Sequence, residues 1–159
     1  MDNSLIYKFK FTGCGHHDAW GIDELRGRIL AEIEDFAKDD TVEFWLGGYG
    51  AFDSYALRCC QEYKATHPTA TLLFVTPYLH PDYLKRRDVF LEGYDGIETP
   101  PIENTPPKYA ILKRNEYMVD QSELLIAYVN HGWGGAAKTL EYAVRKHKTC
   151  INLGTYKMC

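Results

Sequence analysis

The chain has 159 residues, of which 45% are hydrophobic and 25% are charged. This length and composition are typical of one globular domain, and they exclude a disordered tail, a coiled coil and a disulfide-packed scaffold. The 18 lysine and arginine residues against 22 aspartate and glutamate residues give a net charge of −4. Because broad electrostatic capture of nucleic acid needs a basic face, we do not expect extended nucleic acid as a partner.

Targeting and cysteine signals indicate a cytoplasmic protein. The first residues do not form a secretory signal peptide, and no apolar run approaches the roughly 20 residues that a membrane-spanning helix needs. The five cysteines contain no CxxC pair, which favours reduced thiols over a zinc site. We therefore expect no membrane association, no bound metal and no required cofactor.

Hydrophobic patterning predicts strands that alternate with helices. The strands are short apolar or alternating runs that stop at glycine or proline, and the helices carry apolar residues at three- and four-residue spacing. In chain order we predict a strand at residues 5–12, a helix at 22–38, a strand at 41–46, a helix at 51–67, a strand at 71–76, a short strand around Ile97, a helix at 108–121, a strand at 124–129, a helix at 136–146 and a strand at 149–153.

This alternation predicts an α/β protein with a Rossmann-like three-layer fold, in which a mostly parallel sheet has helices on both faces. We expect one domain over residues 1–159. Right-handed crossovers bring every loop that follows a strand to the same edge of the sheet. Four unusual loops, TGCGHHD, GGYGAFD, TPYLH and NHGWGG, then meet at one crevice at the carboxyl ends of the strands, where such folds bind ligands.

Two of these loops are rich in glycine and lie between a strand and a helix. Glycine lets a backbone pass close to a ligand, and helix N-termini carry the partial positive charge that suits a phosphate. The alternative is that the glycines only form tight turns. Neither loop contains GxxxxGK[ST] or GxGxxG, which disfavours a Walker loop and an ordinary dinucleotide site.

Polar side chains in and near these loops have two interpretations each. Asp53 suits ribose hydroxyl groups or caps a helix N-terminus. His16 and His17 could contact a phosphate or exchange protons near neutral pH, or they are ordinary exposed loop histidines. Their spacing with Asp18 and His80 is not diagnostic of a metal site.

Arg114 could clamp a phosphate or be an exposed charge on a helix. The aromatic side chains of Tyr49, Tyr78 and Trp133 lie in the loops and could stack on a base, although aromatic residues as frequent as these usually belong to the core.

The motifs FTG, GGYGAFD, PY, RNEYMVDQSELLIAY and GGAAKTLEYA resemble, in this order, the SLOG superfamily on its YpsA-like branch. That superfamily also includes the DNA-processing proteins and the lonely-guy phosphoribohydrolases. The resemblance spans nearly the whole chain. It implies a Rossmann-like fold whose glycine loops hold nucleotides or molecules derived from them, and related domains in some defence effectors sense signals of the cyclic ADP-ribose type.

The chain departs from the family pattern at two positions. The branch commonly continues FTG with His-Arg, whereas here the chain continues with Cys14 and Gly15. Aligning the glycines with those of the phosphoribohydrolases puts Thr139 at the position of their glutamate, and Glu141 is out of register. This departure weakens the hydrolase interpretation.

We therefore expect a protein that binds a nucleotide-derived small molecule, of the ADP-ribose or cyclic-nucleotide type, as a sensor or a sequestering protein. The alternative is an enzyme that cleaves or transfers an N-glycosidic bond of a nucleotide, with Glu141 or Asp120 as catalytic candidates. We also expect a homodimer or larger homo-oligomer, and a sensor would need a separate effector protein. The expected ligand-binding residues are Thr12, Gly13, His16, His17, Gly47, Gly48, Tyr49, Gly50, Ala51, Phe52, Asp53, Pro77, Tyr78, Arg114, Asn115, Asn130, Gly132, Trp133, Gly134, Gly135 and Thr139.

Overall fold

Strands and helices alternate along the chain, and the strands pair in parallel because each is joined to the next by a crossover rather than by a hairpin. The structure is a computed structural model that describes residues 9–15, 22–38, 41–47, 50–77 and 92–158. Its strands are β1 (Phe9–Gly15), β2 (Val42–Leu46), β3 (Thr71–Val75), β4 (Gly96–Glu98), β5 (Leu124–Tyr128) and β6 (Thr149–Asn152). Its helices are a 3-10 turn (Ile22–Leu25) that leads into α1 (Arg26–Ala37), followed by α2 (Gly50–Thr66), α3 (Pro107–Gln121) and α4 (Gly135–Arg145).

The strand order β4-β3-β2-β1-β5-β6 places β1 inside the sheet. From β1 the chain moves outwards to β4 on one side, and it then returns to β5 on the other side of β1. The two directions of winding therefore separate at β1 and β5. In open parallel sheets, ligands bind at the carboxyl ends of the strands beside such a reversal.

One face of the sheet is covered by α1 and α2. The buried side chains there include Ile29 and Ile33 of α1, Phe52 of α2, and Phe44 and Ile126 of the sheet. The positions in α1 follow the three- and four-residue spacing that predicted the helix.

The opposite face is covered by α3 and α4. Leu140 of α4 packs with Leu125 and Ala127 of β5, while Met118 of α3 packs with Trp45 and Val75. The predicted α/β fold with helices on both faces of a parallel sheet is therefore confirmed. No helix within the described ranges is long and apolar enough to cross a membrane.

The predicted end of the first strand is wrong. We expected the strand to break at Gly13, but β1 continues to Gly15 and pairs with β5 as far as Tyr128. A parallel ladder needs only backbone N–H and C=O groups, which glycine supplies like any other residue. The short edge strand expected around Ile97 is present as β4.

We predict that Leu140→Ala lowers the free energy of unfolding by about 2–5 kcal/mol, because the Leu140 side chain is fully buried between α4 and the sheet. The matched control is Ile111→Ala on α3, where the side chain is 47% exposed and the expected change is within about 0.5 kcal/mol. Urea denaturation followed by circular dichroism measures both. Equal stability losses in the two variants would contradict the assignment of this helix face to the core.

Candidate functional site

The crevice begins where β1 loses one of its two neighbours. The ladder between β1 and β2 ends at the pair Thr12 and Trp45, whereas the ladder between β1 and β5 continues to the pair Gly15 and Tyr128. The carboxyl end of β1 therefore follows β5 and separates from β2. Thr12 lies in the strand as its predicted bounds had it, and Gly13 also lies in the strand rather than in the expected loop.

The ends of β2 and β3 are held together by a buried arginine. The guanidinium Nη1 of Arg114 donates hydrogen bonds to the carbonyl oxygens of Gly47 (3.1 Å) and Val75 (3.3 Å), and its Nη2 and Nε donate to Oδ1 of Asn115 at 2.9 and 3.2 Å. A Cβ atom at Gly47 would lie 3.2 Å from this guanidinium. The absence of a side chain at Gly47 therefore allows the backbone to pack closely against Arg114.

Arg114 is 3% exposed, so the alternative of an exposed helix charge is wrong. Its guanidinium is a fixed positive charge next to Gly47 at the end of β2, and its donors hold the ends of two strands in place. A direct contact of Arg114 or Asn115 with a phosphate stays a prediction.

The loop between β5 and α4 carries an exposed aromatic platform. The indole of Trp133 is 69% exposed and stacks on the imidazole of His131, with ring centroids 3.7 Å apart and planes inclined by 15°. Nδ1 of His131 also lies 3.1 Å from the carbonyl oxygen of Trp133. The side chain is thus held at the carboxyl edge of the sheet, where we expected a residue that stacks on a base.

The first turn of α4 lies next to this platform and has an open approach. Gly134 has φ +92°, which favours glycine, and a Cβ atom at Gly134 or Gly135 would meet no atom within 4 Å. Backbone N–H groups of a first helical turn point along the axis and carry partial positive charge. Thr139 is buried and its hydroxyl donates to the Gly135 carbonyl oxygen (2.9 Å), so it supports this turn from inside the molecule.

The last residue of β6 and the segment that follows it brace the same loop. The side-chain amide of Asn152 accepts from the N–H groups of Val129 (2.9 Å) and Gly154 (3.1 Å), and it donates to the carbonyl oxygens of Val129 (3.0 Å) and Tyr156 (2.6 Å). A Cβ atom at Gly154 would lie 2.3 Å from the Val129 carbonyl oxygen, so only glycine allows this approach. Asn130 accepts a hydrogen bond from the Thr155 N–H at 3.0 Å, and its expected contact with a ligand stays a prediction.

Of the two catalytic candidates, Glu141 lies near the β5–α4 loop and Asp120 does not. Oε1 of Glu141 accepts a hydrogen bond from the Tyr156 hydroxyl (3.1 Å), which together with burial raises the pKa of the Tyr156 phenol. The Tyr156 ring in turn packs against Gly132, where a Cβ atom would come within 3.1 Å of the hydroxyl oxygen. Glu141 is therefore linked to the loop through Tyr156.

Asp120 lies at the opposite edge of the sheet, since it is in the last turn of α3, just before β5 begins. Its carboxylate accepts the Tyr142 hydroxyl at 2.8 and 2.9 Å, and its carbonyl oxygen accepts from Nζ of Lys148 at 3.0 Å. Burial and this carboxylate raise the pKa of Tyr142 to about 12. The expectation that Asp120 joins the crevice is wrong, because a helix of 15 residues separates it from the loops.

Around the start of α2, the expected residues divide between surface and core. Gly50 begins the helix, Ala51 is exposed, and Phe52 is buried and stacked on Tyr128 with ring centroids 6.0 Å apart, so Phe52 is a core residue. Asp53 is half-buried in the first turn, where a carboxylate interacts favourably with the helix dipole. Burial, with Asp53 as the next cause, raises the pKa of Tyr94 to about 12.

Several expected residues of the site cannot be placed. His16, His17, Gly48, Tyr49 and Tyr78 lie outside the described residues. Pro77, just before Tyr78, is buried. The described part of the crevice is therefore the β5–α4 loop, the start of α2 and the ends of β2 and β3.

Sequence reasoning missed the residues that support this loop from behind. Asn152 and Tyr156 act through hydrogen bonds between segments distant in sequence, which no local spacing signals. His131 lies in the NHGWGG motif, two residues before Trp133. This spacing was the sequence signal that could have indicated the stacked pair.

Comparison with known proteins supports the same fold. No protein-family model matches the chain. Over 143 residues it is 28% identical to the uncharacterized SPbeta prophage-derived protein YoqJ of Bacillus subtilis (strain 168), and the match covers 78% of this chain and 82% of that protein.

Two solved structures resemble the chain with a TM-score of 0.59 and 16% sequence identity. One is DNA processing protein A from Helicobacter pylori, described for its single-stranded DNA binding mode, and the other is DNA processing protein A from Streptococcus pneumoniae. The matches cover 91% and 93% of this chain but only 64% and 51% of those proteins, so the chain spans between half and two thirds of their length.

These structures correct one expectation and confirm another. Excluding extended nucleic acid as a partner was wrong, because a protein with this fold binds single-stranded DNA. The physical error was to use a net charge, which averages over the whole surface and hides local basic faces. The fold that the motifs predicted is confirmed: the chain has the Rossmann-like fold of these DNA processing proteins, and its place in the SLOG superfamily stays a prediction.

Proposed function

We propose that this protein binds a nucleotide at the crevice, with the base stacked on Trp133 and a phosphate at the first turn of α4. The observation that carries this proposal is the exposed Trp133–His131 stack beside the open turn at Gly134 and Gly135. An aromatic face and a helix N-terminus recognise the two chemically different parts of a nucleotide.

The structure of the loop supports this division of roles. Trp133 precedes the first residue of α4 by two positions, so base and phosphate contacts would come from one short segment. The hydrogen bonds of Asn152 and the packing of Tyr156 against Gly132 hold that segment in place. A site held in this way loses less conformational entropy when the ligand binds.

The nucleotide could be free, as in the expected sensor or sequestering protein for a nucleotide-derived signal, or part of a strand. The enzyme alternative depends on Glu141, whose carboxylate accepts a hydrogen bond from the Tyr156 hydroxyl. Binding without cleavage is the function that the described residues support best.

We predict that Trp133→Ala weakens binding of adenosine and thymidine monophosphates by about 5- to 150-fold, because stacking of a base on an aromatic ring contributes about 1–3 kcal/mol. Isothermal titration calorimetry measures the affinities. The matched control is Tyr109→Ala, which removes another exposed aromatic ring (46%) on α3 and should leave the affinity unchanged. Equal affinities in the parent protein and in Trp133→Ala would exclude the platform as the base site.

The second prediction concerns the phosphate. Gly135→Glu should abolish nucleotide binding by repelling the phosphate, without lowering stability, because a carboxylate in the first helical turn stabilises the helix by about 0.3–1 kcal/mol. Ala31→Glu, at an exposed position of α1, adds the same charge elsewhere and should bind normally. Titration calorimetry and thermal unfolding give the two readouts, and normal binding by a folded Gly135→Glu protein would contradict the phosphate site.

The third prediction separates binding from catalysis. After incubation with NAD, ADP-ribose isomers or nucleoside monophosphates, we expect the ligand to be recovered unchanged from the denatured protein. Chromatography of the released base measures cleavage. Multiple turnovers that disappear in Glu141→Gln would instead establish the N-glycosidic enzyme.

A further inference from the structure

Helix α3 reaches past the carboxyl edge of the sheet. The helix follows β4 and precedes β5, so its first residues lie at the carboxyl edge and its last residues lie at the amino edge. Arg114 donates hydrogen bonds to the carbonyl oxygens of Gly47 and Val75, which mark the ends of β2 and β3. The residues of α3 that precede Arg114, from Pro107 onwards, therefore project about 10 Å beyond these strand ends.

Helix α4 gives a second measure of this projection. The two helices run in the same direction on one face of the sheet, and Val119 of α3 packs in the same buried cluster as Leu140 of α4. More of α3 precedes Val119 than of α4 precedes Leu140, and the difference is two turns. The first two turns of α3 thus extend about 10 Å beyond the start of α4. They rise at the same edge of the sheet as Trp133, which lies just before α4.

Ile111 belongs to these projecting turns and points towards the crevice. It precedes Met118 by nearly two full turns, so both side chains lie on the same side of α3. Met118 packs on the sheet against Trp45 and Val75. Ile111 points the same way from a position past the strand ends, and it is 47% exposed. Its side chain therefore faces the space over the carboxyl ends of the strands.

The exposed apolar surface divides between the crevice and the outside of the molecule. Within the part of the chain that the structure describes, the exposed large apolar residues are Tyr109, Ile111 and Trp133. Tyr109 is about 200° around α3 from Ile111, and the Nζ of Lys108 lies 4.9 Å from its ring centroid. Ile111 and Trp133 instead place two apolar surfaces at the crevice, one on α3 and one on the β5–α4 loop.

We propose that Ile111 contacts the ligand and covers the face of the base that is turned away from Trp133. This inference rests on the proposed nucleotide site and adds its second wall. A base has two apolar faces, and a platform on one side removes only one of them from water. The axes of packed helices lie about 8–10 Å apart, so α3 is close enough to the Trp133 loop for one base to contact both.

The test compares Ile111→Ala and Ile111→Phe with the control Tyr109→Ala in the full chain. Tyr109 is a similarly exposed apolar residue of the same helical turn, on its other side. Isothermal titration calorimetry with adenosine monophosphate measures binding of a ligand that has a base. Titration with ribose 5-phosphate measures binding of the same sugar phosphate without a base. Circular dichroism confirms that each variant is folded.

We expect Ile111→Ala to weaken binding of adenosine monophosphate by about 3- to 10-fold, because it removes apolar surface that the base covers. Ile111→Phe should tighten this binding by about 2- to 10-fold, because an aromatic ring then stacks on the second face of the base. Tyr109→Ala should bind like the parent. Neither substitution of Ile111 should change binding of ribose 5-phosphate.

Three results would overturn the inference. If both Ile111 variants bind adenosine monophosphate like the parent while Trp133→Ala binds it weakly, the nucleotide site stands and the second wall is wrong. If Ile111→Ala weakens adenosine monophosphate and ribose 5-phosphate equally, the lost contact is not with the base. If the folded parent binds neither ligand, the proposed function fails and the inference fails with it.

Discussion

The pairing of β1 with both β2 and β5 is the constraint on which the other features depend. Because β1 lies between strands that come early and late in the chain, the loop after β2 and the loop after β5 reach the same edge of the sheet. The β1–β2 ladder stops three residues before the β1–β5 ladder does, which separates the strand ends there. The remaining site features lie at the same edge of the sheet: Arg114 joins the ends of β2 and β3, and Trp133 lies in the loop that follows β5.

Arg114 shows how a buried charge can serve geometry. A buried guanidinium is costly unless its donors are satisfied, and here they reach the carbonyl oxygens at the ends of β2 and β3 and the amide oxygen of Asn115. These bonds tie the end of β2 to the end of β3, and on the other side of β3 the Thr76 N–H donates to the Glu98 carbonyl oxygen. The same positive charge makes the edge of the sheet more favourable for an anion.

The sequence was sufficient for features that depend on local patterns and insufficient for those that depend on distant contacts. Apolar runs and helical spacing predicted the strands and helices, and parallel pairing predicted that the carboxyl ends of the strands share one edge of the sheet. The extension of β1 through Gly13 depends on its pairing with β5, which no local pattern contains. Likewise, Asp120 and Phe52 were expected in the site because they lie within the resembling motifs. In the fold, Asp120 lies at the far edge of the sheet and Phe52 lies in the core.

The stack between Trp133 and His131 has a consequence for recognition. The Trp133 indole stacks on the His131 imidazole and has therefore already lost much of its rotational freedom. Ordering a free side chain on binding costs about 0.5–1.5 kcal/mol, and a base that stacks on Trp133 would avoid most of this cost. Since every base has a flat π surface, a nucleotide site built on this rigid ring, as proposed above, would accept purines and pyrimidines alike.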